Sequence, residues 1–296
     1  MKLQGLHLLL TYKCTYECDH CFVWGSPRQE GTLTREGILD ILDEGESLGM
    51  VEWIYFEGGE PFLYYPALVF GVQEAAGRGF RVGIVTNGYW AVSAGDALAW
   101  LSPFRGKVQD LALSCDDYHG RGRTEQALTA HAAAEQLGIP VGIIAVAGPE
   151  AGNDPPPGAT AVRYRGRAAM TLTERAGKLP WAGFDACPHE NLRDPDRVHV
   201  DPFGNVHLCQ GIVIGNLFRT PLAEICGAFD PDRHPIVGPL LSGGPAALVR
   251  SHGIQPGPAY ADACHLCYEA RRRLRPLHPD SLAPGPVYGV MPEGWP

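Results

Sequence analysis

The sequence predicts an α/β fold: a partial (β/α)6 TIM-type barrel over residues 1–165, followed by a cysteine-rich extension and tail over residues 166–296. Three observations predict it. Short β-rich apolar runs alternate with helical stretches through the first half, which is the rhythm of repeated βα units around a parallel sheet. Beyond residue 166 that rhythm ends, and proline and glycine become frequent. Seven of the nine cysteines fall into two sets, one just after the first strand and one spread through the extension.

Leu6 to Thr11 reads as the first strand, and Thr34 to Leu48 as the first helix, with Thr34 as N-cap and Gly49 as its stop. Val51 to Glu57, Phe80 to Thr86 and Val108 to Ser114 supply strands two to four. The helix Thr124 to Leu137 then leads to Val141 to Val146 as strand five and Ala159 to Tyr164 as strand six. Between the last two lies Gly148 to Pro157, which cannot be helical because proline lacks the amide and clashes with the preceding turn. The barrel flank there is expected to be open, or covered by the C-terminal part.

In the extension, Val198 to Pro202 and Val206 to Cys209 flank Gly204-Asn205 as a hairpin, and short helices are expected over Pro221–Phe229, Pro245–Ser251 and Cys264–Leu274. Apolar residues are too thin here for an independent core, so a cysteine-based staple is expected.

Hydrophobic residues make up 45% of the chain, and neither a membrane-length apolar run nor a secretory signal is present. A soluble, cytoplasmic protein is expected, with its thiols reduced. A net charge of −9 without a basic run argues against nucleic acid as a partner, and Arg271-Arg272-Arg273 reads as a solvated helix face. An odd, sparse cysteine count argues against a disulfide framework.

The run Cys14-Thr-Tyr-Glu-Cys18-Asp-His-Cys21 puts three thiols on one short loop. Three soft thiolates hold three corners of a cubane iron–sulfur cluster and leave the fourth iron open to a non-protein ligand. Zinc would need a fourth ligand, from His20 or a distant cysteine. Downstream, Glu57-Gly58-Gly59-Glu60-Pro61 follows the apolar strand Trp53 to Phe56. Glycine lets backbone approach a ligand closely, and the Glu60 carboxylate suits an ammonium.

Together, the triplet and Gly58-Gly59-Glu60-Pro61, in this order, resemble the radical SAM superfamily. The resemblance implies a [4Fe-4S] cluster on Cys14, Cys18 and Cys21, and binding of the methionyl amino group of S-adenosylmethionine by the Gly-Gly-Glu-Pro backbone. His20 occupies the position that the family fills with an aromatic beside adenine. Thr86-Asn87-Gly88 resembles a recurrent motif, which implies that Asn87 lies near the sulfonium or ribose. Ser114 and Asp116 suit ribose or carboxylate contacts, and Arg163 suits a bidentate grip on the methionyl carboxylate. Each has a structural alternative: Asn87 can serve its turn, Asp116 can cap helix four, and Arg163 can snorkel.

Cys187, Cys209, Cys264 and Cys267, with Gly211 to Leu217 and Gly166-Arg167-Ala168, resemble the superfamily's twitch/SPASM-like extension. The order of the four is similar to that in 2-deoxy-scyllo-inosamine dehydrogenases. A second, auxiliary [4Fe-4S] cluster is implied; a four-thiolate zinc site is the alternative. Cys115 and Cys226 remain, each read as core packing or as a thiol that returns a hydrogen. His119, on the loop after strand four, is the candidate base, since imidazole titrates near neutrality.

The resemblance implies reductive cleavage of S-adenosylmethionine to a 5′-deoxyadenosyl radical that abstracts a substrate hydrogen. Two-electron oxidation of a small molecule is the leading expectation. Epimerisation, peptide modification and a non-enzymatic metal-binding role are the alternatives. A barrel that begins at residue six leaves no room for an N-terminal leader-recognition domain, which tilts the substrate toward a small molecule or a peptide delivered by another protein. An external donor such as flavodoxin or ferredoxin is the implied electron source, and no membrane partner is expected.

Overall fold

The computed structural model describes residues 1–119 and 124–290. β1 (Gly5–Thr11) buries every residue but His7, as a strand with neighbours on both edges must. α1 (Arg35–Leu48) starts where the Thr34 hydroxyl accepts from Gly37 N at 3.0 Å and ends at Gly49, whose φ of 71° suits only a residue without a Cβ penalty. Its Ile38, Ile41 and Leu42, at helical spacing, form the buried stripe. β2 (Trp53–Gly58), α2 (Tyr65–Gly77), β3 (Arg81–Thr86), α3 (Ala94–Leu101), β4 (Val108–Ser114), α4 (Thr124–Leu137) and β5 (Val141–Ile144) continue the βα rhythm. All five strands are parallel.

The expected sixth strand does not form. Over Ala159 to Tyr164 the chain makes only an isolated parallel bridge, Thr160 to Val146. Three prolines just upstream, Pro155 to Pro157, remove amides, and Tyr164 N donates to the Asp262 carboxylate at 3.2 Å instead of to a ladder. The segment 148–157 holds one short 3₁₀ turn, Pro149–Ala151, as its prolines dictate.

The extension contributes α5 (Ala168–Thr171), β6 (Leu179–Pro180), β7 (Arg197–Val200), β8 (Asn205–Cys209), β9 (Ile212–Asn216), α6 (Leu222–Ala228), α7 (Val237–Ser251), β10 (Ala259–Tyr260) and α8 (Ala263–Leu274). The expected hairpin is β7–β8, and it does not stand apart. β7 lies parallel to β1, with Gly5 opposite Arg197 and Leu8 opposite Val200. The result is an open eight-stranded sheet, β5-β4-β3-β2-β1-β7-β8-β9. One hydrophobic core runs through both halves. Asp201 fixes the β7–β8 turn by accepting from Phe203 N, Asn205 N and the Tyr12 hydroxyl. α7 is broken at Gly243 and Gly244, so its second half begins at Pro245, where the sequence places a helix start.

Candidate active site

Residues 12–26 leave β1 as a loop tied to itself, with Cys14 N donating to Ser26 O and Cys21 N to Cys18 O, both at 3.0 Å. Cys14, Cys18 and Cys21 all line one cavity of about 290 Å³. Among the described residues lining it there is no fourth thiol. Tyr16 N and Asn87 Nδ2 donate to Cys14 Sγ at 3.4 and 3.6 Å, and Gly25 N donates to Cys21 Sγ at 3.1 Å. Burial pushes the Cys14 thiol up to about 12, with Glu60 adding to it. Burial raises Cys18 as well, with Cys21 and Cys14 adding. Thiols this crowded resist ionising together, and a cationic iron centre offsets that cost. A three-sulfur donor set, backed by N–H donors and open on the cavity side, fits an iron–sulfur cluster with one iron free.

Gly58 and Gly59 form part of the same wall. Their need for glycine has a second cause that the sequence reading did not contain. A Cβ on Gly59 would stand 2.2 Å from Lys13 O, and one on Gly58, at φ 135°, 2.4 Å from Thr11 O. The glycines therefore let β2 press against the very backbone that leads into the thiol loop.

The expectation that the Glu60 carboxylate meets an ammonium is corrected. Glu60 is fully buried, and neither it nor Pro61 lines the cavity. Its carboxylate accepts from Phe62 N at 3.0 Å, Thr86 Oγ1 at 2.8 Å and Asn87 N at 2.8 Å, so it ties the end of β3 to the end of β2. Burial pushes it up to about 7, against those hydrogen bonds. Asn87, held in this way, serves its turn through Oδ1, which accepts from Tyr89 N, while Nδ2 reaches Thr15 Oγ1 at 3.1 Å and Cys14 Sγ.

Ser114, His20, His119 and Arg163 also line the cavity. Asp116 does not; it lies in the wall of an adjoining hollow. Its carboxylate is 2.7 Å from His119 Nδ1 and 3.3 Å from His20 Nε2, and it accepts from Val146 N and Tyr118 N at 3.1 Å. Burial opposes its charge, but hydrogen bonds from His119 and His20 hold the carboxyl well below the usual carboxylate range. Asp116 thus orients two imidazoles at the edge of the cavity. His20 stacks on Tyr118 with ring centroids 4.6 Å apart.

Cys115 and Cys226 do not line the cavity. Cys115 follows β4 one residue after the inward-facing Ser114, so strand alternation turns its side chain away. Cys226, on α6, packs against the core. Burial raises its thiol, and the Met1 ammonium lowers it, which puts it beside the chain's first residue, at the opposite end of β1 from Cys14.

The four distal thiols do converge. Cys187, Cys209, Cys264 and Cys267 line a common pocket with Arg165 and Arg271. Four sulfur donors suit an iron–sulfur cluster or zinc. Two neighbours stand out that the sequence reading did not assign. Arg165 lines both cavities and donates to Cys209 Sγ at 3.2 Å and Glu190 Oε1 at 3.3 Å. Arg167 donates to Cys18 O at 2.7 Å and Gly25 O at 2.8 Å. The motif Gly166-Arg167-Ala168 was the available signal for the second. No spacing rule points to the first.

Residues 8–155, half of the chain, match the family described as the radical SAM superfamily. Over 87 residues the chain is 38% identical to a tungsten-containing aldehyde ferredoxin oxidoreductase cofactor-modifying protein of Pyrococcus furiosus, covering 29% of this chain and 24% of that protein. Over 85 residues it is 35% identical to an S-adenosylmethionine-dependent nucleotide dehydratase of Selenomonas ruminantium, covering 28% and 29%. These matches thus span about a quarter to a third of the curated relatives' lengths. The crystal structure of BtrN in complex with AdoMet and 2-DOIA aligns with a TM-score of 0.49 at 18% identity, over 75% of this chain and 81% of that one.

Proposed function

The chain belongs to the radical SAM superfamily, and from that premise we propose that it cleaves S-adenosylmethionine reductively and dehydrogenates a small molecule. The observation that carries this reading is the convergence of three thiols from one loop, with Gly58 and Gly59 beside them, on a cavity lined by no fourth thiol among the described residues. Cys14, Cys18 and Cys21 would hold the cluster. Gly58, Gly59, Asn87, Ser114 and Arg163 would grip S-adenosylmethionine, with His20 beside the adenine. When bound, this pair supplies a 5′-deoxyadenosyl radical that takes hydrogen from the substrate.

The chain's own side chains supply orientation and proton handling. N–H donors from Tyr16, Gly25 and Asn87 compensate thiolate charge. Arg163 is exposed and, among the described residues, its side chain makes only a 3.8 Å contact with Glu190, which leaves its fork available for a carboxylate. With Asp116 accepting from Nδ1 of His119, the other ring nitrogen is the acceptor for a substrate proton. Cys187, Cys209, Cys264 and Cys267 would hold an auxiliary [4Fe-4S] cluster, the electron sink that a dehydrogenation needs. Epimerisation requires a hydrogen-donating thiol at the substrate, and neither Cys115 nor Cys226 lines the cavity, which supports oxidation.

The test is anaerobic. Reconstituted protein given a reducing donor such as flavodoxin or ferredoxin and S-adenosylmethionine should form 5′-deoxyadenosine slowly without substrate, and Cys18→Ala should not. Iron should reach about eight per chain, whereas zinc at the second set would leave about four. Absence of cleavage after full reconstitution would refute the enzymatic reading. Among candidate small molecules and peptides, an oxidised product supports dehydrogenation, and solvent deuterium retained in the product would replace it with epimerisation.

A further inference from the structure

Among the described residues, three groups of histidine, cysteine and carboxylate side chains bring their ligating atoms within 4.8 Å of one another. His20 and His119 line the first cavity, with Asp116 bonded to both, and His189 and Cys264 line the pocket of the second thiol set, with Asp262 beside them. The remaining group, His7, Glu57 and His199, lines neither. It is built on three adjacent strands, β1, β2 and β7, with His7 and His199 directly opposite in register. Leu6 points at Gly45 of α1, so by alternation His7 faces away from the helix layer.

Glu57 stands between the two imidazoles, with Oε2 3.3 Å from His7 Nδ1 and Oε1 3.1 Å from His199 Nε2. Donor atoms on bonds of ~2.1 Å to one zinc or iron ion lie roughly 3.0–3.4 Å apart. The second contact lies within hydrogen-bond distance but without hydrogen-bond geometry at Glu57 Oε1, and the buried His199 Nδ1 has no hydrogen-bond partner among the described residues. Asp116, by contrast, is saturated by two backbone amides and two imidazoles. The rings are held in place, since His7 stacks on Tyr55 at 4.5 Å and the Tyr55 hydroxyl donates to Asp110 at 2.8 Å.

The charges agree with the geometry. Burial opposes the Glu57 charge, but His7 and His199 hold its carboxyl well below the usual range. Burial lowers His199, with Glu57 opposing that shift. We propose that His7, Glu57 and His199 form a divalent transition-metal site of the two-histidine, one-carboxylate type, separate from both cysteine sets.

The experiment uses cluster-loaded protein, incubated anaerobically with zinc chloride, desalted and assayed for zinc and iron in the same sample. One zinc per chain at a full iron complement is expected. Glu57→Gln and His199→Gln should each weaken retention at least tenfold with iron unchanged, and the surface control His131→Gln should not. No zinc at full iron, zinc that rises only as iron falls, or retention undiminished in Glu57→Gln overturns the site. If either variant loses iron, His7→Gln at full iron is judged by the same tenfold criterion.

Discussion

Arg167 joins the extension to the first thiol loop, and its removal gives a quantitative test of that junction. Its guanidinium, buried to 8% exposure, donates to Cys18 O at 2.7 Å and Gly25 O at 2.8 Å, while its backbone N donates to Cys21 O at 2.9 Å. The guanidinium also lies 5.2 Å from the Trp24 ring. Arg167→Met keeps the packed stem and removes both side-chain donors. Gly25 O is left without its donor, at about 1–3 kcal/mol, while Cys18 O keeps Cys21 N and loses one bond worth about 1 kcal/mol net, so the substitution should cost about 2–4 kcal/mol. Against a total stability of roughly 5–15 kcal/mol, that is a large fraction. Arg167→Lys offers a point charge instead of a fork and should recover about half of the loss. Urea unfolding followed by circular dichroism reads the difference at constant slope. A loss below about 1 kcal/mol in Arg167→Met would refute the assignment of Arg167 as the clamp.

Gly59→Ala places a methyl 2.2 Å from Lys13 O and should displace the thiol loop, lowering first-cluster iron and costing about 1–3 kcal/mol, as read by iron analysis and thermal melting. Asp116→Asn should cost about 1–3 kcal/mol at neutral pH. Because the Asp116 carboxyl is held low in the fold, its contribution is present above the ordinary aspartate range and lost as pH falls through the folded value, so the gap between variant and wild type should hold from pH 6 to 9 and close below about pH 4. Cys267→Ala should take iron from about eight to about four per chain while leaving substrate-free 5′-deoxyadenosine formation intact. If Cys187, Cys209, Cys264 and Cys267 hold the proposed auxiliary cluster, Arg165→Met, which removes a cation from Cys209 Sγ, should lower its midpoint potential by about 65–130 mV, the one-electron equivalent of one charge-assisted hydrogen bond, as seen by paramagnetic resonance titration at unchanged iron content.

The βα series was legible because each part of it is local. Thr34 caps its own helix, Gly49 ends it, and β1 to β5 are apolar runs that need no knowledge of their partners. What could not be read was contact across long separations. Val198 and Val200 look like half of a hairpin, and nothing in them says that β7 joins the edge of β1, some 190 residues earlier. Ala159 to Tyr164 passes as a strand by composition, but the competing acceptor for the Tyr164 amide is Asp262, almost a hundred residues away. At the site, the residue types of the cavity wall were visible and the directions of their side chains were not. Glu60 has a suitable carboxylate, yet three internal donors claim it. Arg165 carries no motif, and only the fold brings it between two thiol sets.

The two failures of regular structure in the first half set the access to the site. β1 is covered by β7, so that edge of the barrel sheet is closed by the extension. β5 is followed by a proline-rich segment instead of a helix, and beyond it stands only the Thr160 bridge. Ile144 consequently lines the cavity and is still 46% exposed, with Ile143 beside it at 41%. A side chain that is both cavity wall and outer surface marks a mouth. Had a helix packed after β5, Ile143 would be core, as its register neighbour Leu113 is on β4. The prolines that forbid that helix therefore place the opening of the cavity on the β5 side, across the sheet from the strands that carry Cys209 and its neighbours.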